Sequence, residues 1–117
     1  MKVVITGSRN DVSRALIENA LEYLPEDTII IHGAAPGVDR NAGSVARKNG
    51  YKVVEVAAEW ENYGRAAGAI RNIKMLDMRP DLVLAFHTDL KKSRGTWHCV
   101  SEATKRGIPV VYIEDTR

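Results

Sequence analysis

Short apolar runs rich in β-branched residues alternate along the chain with stretches of helical spacing, and that alternation leaves few folds open. "KVVIT" (2–6), "TIIIH" (28–32), "KVVEV" (52–56), "DLVLAF" (81–86) and "IPVVYI" (108–113) read as strands. The first is continuously apolar, as expected of a strand covered on both faces. Asn10 or Asp11 is a candidate cap for a first helix with Val12, Leu16, Ala20 and Tyr23 at helical spacing and Pro25 closing it. A second helix begins near Val38, carries Ala42, Val45 and Ala46 on one face and stops at Asn49-Gly50. After an irregular stretch, residues 65–78 read as a helix ending before Pro80. Thr96 can cap a last helix bearing Val100, Ala103 and Thr104, with Gly107 as its stop. Strand-helix alternation implies right-handed crossovers and a parallel sheet with helices on both faces. The expectation is an α/β, doubly wound, three-layer single domain over residues 1–117, its five-stranded parallel sheet in the order 3-2-1-4-5. Such sheets bind ligands in the crevice where the order reverses, here beyond the carboxyl ends of strands 1 and 4.

Bulk properties narrow the function. A formal net charge of +2 is too small to argue for wrapping nucleic acid, so any positive field is local and nucleic acid is not expected as a partner. The one cysteine cannot form an internal disulfide, and no paired-cysteine metal spacing exists. No segment approaches the roughly 20 apolar residues needed to cross a bilayer. The amino terminus runs straight into "KVVIT" without a leader-like stretch, so a cytoplasmic protein is expected, without membrane association.

Three glycine-containing segments follow strands: "TGSRN" (6–10), "HGAAPGVD" (32–39) and "SRGT" (93–96). Each leads into a helix amino terminus, where free N–H groups and the helix dipole favour an anion. Glycine lets the backbone come close to a phosphate. Neither a dinucleotide fingerprint nor a Walker sequence is present. Any one of these loops reads most simply as turn punctuation; three on one edge of a sheet point to a phosphate or ribose site. Gly7, Ser8 and Arg9 would hold one side of the ligand. Gly33, Gly37 and Asp39 would hold a second, and Arg94, Gly95 and Thr96 would receive phosphate. Asp39 could bond ribose hydroxyls or serve only as a first-turn acid favoured by the dipole.

The segment "WENYGRAAGAIRNIKMLDM" (60–78) adds arginines able to meet an anion bidentately. Arg71 is taken as the clamp and Arg65 as a surface residue with a solvated head. Trp60 and Tyr63 either stack on a base or sugar or pack a subunit contact. His98 and Glu102, four residues apart, could set a base beside the ligand; as a plain surface pair they would contribute only about 0.2–0.5 kcal/mol. His98 and Cys99 are consecutive and point about 100° apart on a helix, so they do not chelate a metal. Cys99 reads as a small buried hydrophobe. No cofactor and no metal is expected.

Taken in order, "ITGSR", "HGAAPGVD", "AAEW..YG.AAG.IRN..M", "DLVLAF" and "SRGT...SEA...GIPV" resemble the YspA-type, cpYpsA-related branch of the SLOG superfamily. The wider superfamily includes LOG-type phosphoribohydrolases, the DNA-processing DprA proteins and proposed sensors of nucleotide-derived signals. The resemblance implies a Rossmann-like fold, a nucleotide-derived ligand and often a homodimer. Against the LOG pattern, Arg71 matches the arginine of an Arg-Lys pair, Asn72 stands where the lysine would be, and Met75 fits. Of the phosphate loop Pro-Gly-Gly-x-Gly-Thr only Gly95 and Thr96 remain, after Lys92, Ser93 and Arg94. The position of the catalytic glutamate falls near His98 or Cys99, neither of them a carboxylate. The expected function is therefore binding, as in a sensor, of a nucleotide or nucleotide-derived small molecule at the carboxyl edge of the sheet. The alternatives are a nucleoside monophosphate phosphoribohydrolase using Arg71, His98 and Glu102 (or Asp39), and a DprA-like DNA-binding module.

Overall fold

Successive residues of β1 (Lys2–Gly7) are buried on opposite faces of a sheet, and this fixes the layering. Val3 and Ile5 pack on one side with Ile17 and Leu21 of α1 (Arg14–Glu22) and with Val38, Ala42, Val45 and Ala46 of α2 (Val38–Lys48). Val4 packs on the other side with Met75 and Leu76 of α4 (Ala67–Asp77) and with Cys99 and Ala103 of α5 (Arg94–Lys105). A single-period β-branched strand thus feeds two separate cores, as a strand covered on both faces must.

The structure, a computed structural model, describes residues 1–8, 12–88 and 93–115. β1 lies between β2 (Ile29–His32) and β4 (Leu82–His87), with β3 (Lys52–Glu55) and β5 (Val110–Glu114) at the edges. The order is 3-2-1-4-5 and every pairing is parallel, as the strand-helix alternation implies. The chain therefore has the α/β, Rossmann-like doubly wound architecture expected of it. Between β3 and α4 the stretch read as irregular contains a one-turn helix, α3 (Trp60–Tyr63), and a 3₁₀ turn at Gly64–Ala66. Arg79, at φ 57°, ends α4 ahead of Pro80. Among the described residues no helix is long and apolar enough to cross a membrane.

Three local expectations are corrected. Ser13, not Asn10 or Asp11, caps α1: its Oγ accepts the Ala15 N–H at 3.2 Å. Asn10 and Asp11 lie outside the described residues. The buried residues of α1 are Ile17 and Leu21. Of the expected positions Val12 and Ala20 pack partly buried against the same core, as does Leu24 beyond the helix, while Tyr23 is 84% exposed. At the other end, α5 begins at Arg94 with Ser93 in the cap position. Thr96 is therefore not a cap but a buried residue of the first turn, accepting the Ser93 hydroxyl at 2.8 Å.

Candidate functional site

The reversal point is built by the register of β1 and β4, which sets Gly7 opposite Phe86. Ser8 N donates to Phe86 O at 3.2 Å, and Ser8 O accepts the first N–H of α2, from Val38, at 3.3 Å. The chain leaving β1 is thus tied to both neighbours. Only glycine fits at position 7, because a Cβ there would lie 2.6 Å from both Phe86 O and Val38 Cγ1. Arg9 lies outside the described residues.

The β2–α2 loop is held from within. Asp39, in the first turn of α2, accepts from Gly33 N at 3.0 Å and Ala35 N at 3.4 Å on one carboxylate oxygen. His32 Nδ1 accepts from Ala34 N at 3.0 Å, and Arg40 Nε donates to Ala34 O at 3.2 Å. These bonds hold Ala34 in the left-handed region, at φ 57°, which L-residues other than glycine adopt at a cost. Gly37 precedes α2 at φ 86°, where glycine has no such penalty. Burial pushes the Asp39 carboxyl up to about 6, with Arg71 and the two loop N–H groups opposing the rise. Burial likewise lowers the pKa of His32, outweighing Glu55. His32 Nε2 faces Glu55 Oε1 across 3.6 Å and has no hydrogen-bond partner among the described residues.

Arg71 reaches across from α4. Its Nη1 donates to Gly33 O at 2.6 Å and its Nε to Asn72 Oδ1 at 2.8 Å. A guanidinium has only donors, so the Asn72 atom facing it is the oxygen and the amide nitrogen faces away. That nitrogen meets Gly95 O and His98 Nδ1, both at 3.1 Å. His98 Nδ1 is therefore an acceptor, and neutral His98 carries its proton on Nε2. The result is a continuous relay from the β2–α2 loop through Arg71 and Asn72 to the first turn of α5. Gly33 is required for it: a Cβ would sit 2.7 Å from Arg71 Cζ.

Of the residues singled out in the sequence, Gly7, Ser8, Gly33, Gly37, Asp39 and Arg71 converge on this rim, and Gly95 joins through Asn72. Gly95 lies in open space and Arg94 is exposed beside it. Thr96 is buried, so what it can offer is its backbone N–H, one of the first-turn groups without an intrahelical acceptor. Glu102 stands about two turns further along α5 and pairs with Lys105 at 3.4 Å, while His98 is engaged by Asn72. Arg65 is exposed. Cys99 is buried, and burial pushes its thiol up to about 12, with the Asp39 charge adding to the rise and Thr6 and Arg71 opposing it.

Sequence reading missed Asn72 as the connector. Its one signal was position, since Asn72, Met75 and Leu76 share the buried face of α4. A polar residue in an apolar stripe has to find partners.

Such a sheet, with its loops gathered beyond the carboxyl ends of the central strands, defines a Rossmann-like α/β domain. The family described as YspA, cpYpsA-related SLOG matches residues 1–63, from β1 through α3, and this chain belongs to it. The matched part contains Gly7, Ser8, Gly33, Gly37 and Asp39; Arg71, Asn72 and α5 lie beyond it. A relative, the Gene 61 protein of Mycobacterium phage D29, is 39% identical over 123 residues covering 97% of each chain. Among solved structures, DNA processing protein A (DprA) of Streptococcus pneumoniae superimposes with a TM-score of 0.82 at 20% identity. That match takes in 98% of this chain but 50% of DprA, so this chain spans about half the length of its neighbour, and the likeness is one of fold.

Proposed function

We propose that the domain binds, and so senses, a nucleotide or nucleotide-derived small molecule through its phosphate and ribose at the carboxyl edge of the sheet. The observation that carries this reading is Arg71. It is fixed at the rim by Gly33 O and Asn72 Oδ1, yet a guanidinium has more N–H donors than those two bonds use. Around it, Gly7 and Ser8 would supply one wall, Gly33, Gly37 and Asp39 a second, and Arg94, Gly95 and Thr96 the amino terminus of α5; Arg9, proposed with the first wall, lies outside the described residues. Buried Asp39 orders the loop, and the positive ends of two helices complement an anion.

Thermal shift with nucleoside monophosphates and ADP-ribose tests it. A ligand at 100 times its dissociation constant adds about 2.7 kcal/mol of stability. Arg71→Ala abolishes that shift if Arg71 is the clamp; no shift by any nucleotide at millimolar concentration refutes the reading. The hydrolytic alternative has less support, since Glu102 turns to Lys105 and Asp39 to the loop N–H groups. Chromatography for released base decides it.

A second reading comes from the neighbour named as a DNA processing protein, which lends no support to the expectation that nucleic acid is no partner. The same rim could take the phosphate of a single strand, and titration with a short oligonucleotide beside a mononucleotide separates the two. The homodimer and the cytoplasmic location implied earlier belong to this proposal, and analytical ultracentrifugation checks the first.

A further inference from the structure

The one-turn helix α3 buries none of its residues, and it displays Trp60 and Tyr63 at 52% and 46% exposure. Large aromatics left in water forgo the main stabilisation they could give a fold. The turn is nevertheless anchored. Lys74 Nζ of α4 binds Glu59 Oε2 at 2.9 Å, and Asn62 Nδ2 donates to Glu59 Oε1 at 3.0 Å. Lys74 Nζ also lies 5.9 Å from the centroid of the Tyr63 ring, which occupies that ring with a cation. Trp60 has a different neighbour. A Cβ placed on Gly68 would lie 3.5 Å from Trp60 Cη2 and 3.8 Å from Arg71 Nη2. The tip of the indole and Nη2 of the guanidinium therefore both approach one point on α4.

We propose that Trp60 stacks the heteroaromatic base of the ligand whose phosphate Arg71 holds. This inference rests on the phosphate-binding reading above and narrows its substrate class: bases with an attached phosphate, rather than bare sugar phosphates. An indole face is the best of the side-chain surfaces for a flat ring, and stacking tolerates any base, so the site selects for a base without strongly selecting which one. Trp60, rather than Tyr63, does this because it adjoins the guanidinium, whereas Tyr63 adjoins Lys74.

The test is calorimetric titration of the wild-type protein with AMP and with ribose 5-phosphate, repeated on Trp60→Ala and Trp60→Phe. The expected result is AMP binding roughly 5- to 150-fold more tightly than ribose 5-phosphate, the range a stacked base contributes. Trp60→Ala removes that gap and leaves ribose 5-phosphate affinity unchanged, while Trp60→Phe keeps most of it. Because Trp60 is half-exposed, thermal melts of both variants should stay close to wild type. Equal affinities in the wild type, or a gap that survives in Trp60→Ala, overturns the stacking role while the phosphate site stands. Failure of both compounds to bind the wild type overturns the phosphate site and this inference with it. Oligothymidylate titrated beside TMP shows whether the base arrives on a strand or on a free nucleotide; Trp60-dependent tightening of either supports the proposal.

Discussion

Gly33→Ala is the most informative single change. A Cβ at residue 33 would stand 2.7 Å from Arg71 Cζ and 2.8 Å from its Cδ, so one of the two groups has to move. The obstructing atoms belong to a flexible side chain, and Gly33 is not among the positive-φ residues, so the backbone accepts alanine and Arg71 gives way. The Nη1–Gly33 O bond, at 2.6 Å, is then lost. A hydrogen bond to a charged group contributes about 1.5–3 kcal/mol. Restricting the unfolded chain returns about 0.4–1 kcal/mol, which leaves a net loss of about 1–2 kcal/mol. With about 2.1 cal/mol/K of unfolding entropy per residue, a 117-residue chain loses about 4 °C in Tm per kcal/mol. The expected drop is therefore about 4–8 °C, together with loss of any nucleotide-induced shift. The decisive arm is the double variant. With Arg71 already replaced by alanine the three atoms nearest the new methyl are gone, so Gly33→Ala becomes neutral or stabilising by about 0.4–1 kcal/mol, a change of sign measured by differential scanning calorimetry. Equal destabilisation in both backgrounds would falsify the claim that Gly33 exists to admit Arg71.

Other perturbations follow from the same geometry. Asp39 has its folded-state value raised from 3.8 to about 6, so the folded protein holds the extra proton more readily than the unfolded chain. The stability this gives is complete below about pH 4 and is lost as pH rises through about 6, a fall of about 3 kcal/mol. Chemical denaturation from pH 4 to 7 should show that slope in the wild type relative to Asp39→Asn; parallel profiles refute it. Gly7→Ala places its Cβ against the Phe86 carbonyl of β4 at 2.6 Å, so backbone must shift, and a loss of about 1–3 kcal/mol is expected whatever stands at residue 71. Asn72→Ala removes the part-buried hydrogen bonds of the Asn72 amide to Arg71, Gly95 and His98 and should cost about 1–3 kcal/mol, with nucleotide affinity falling alongside; an unchanged affinity argues against the relay. Cys99, buried and with its thiol pushed up to about 12, should resist iodoacetamide at pH 8 in the folded protein and react on denaturation, as mass spectrometry would show.

The layered fold was legible because its signal is local. Runs such as "KVVIT" and "DLVLAF" carry strand length and two-sided burial in their composition, and a chain that alternates them with helices has few ways to wind a parallel sheet. The glycines of the rim were legible for the same reason, since residue type alone announces a close approach or a positive φ. Phase and termini were not. Val12, Leu16, Ala20 and Tyr23 fit helical spacing as well as Ile17 and Leu21 do, and only contact with β1 and α2 shows that Ile17 and Leu21 are fully buried, that Val12 and Ala20 pack beside them and that Tyr23 is left exposed. Thr96 looked like a cap, but Ser93 takes that position and Thr96 is buried in the first turn.

By itself, then, the order of residues determined the sheet, its winding and the types of group available at its edge, because spacing and β-branched content act over a few neighbours. Only the tertiary structure decided that Arg71 meets Gly33, 38 positions away in sequence, and that Asn72 meets Gly95 and His98 across two helices. Those contacts depend on how α4 and α5 lie on one face of the sheet relative to the β2–α2 loop. That placement is a property of the whole packed core, which no short stretch of sequence encodes.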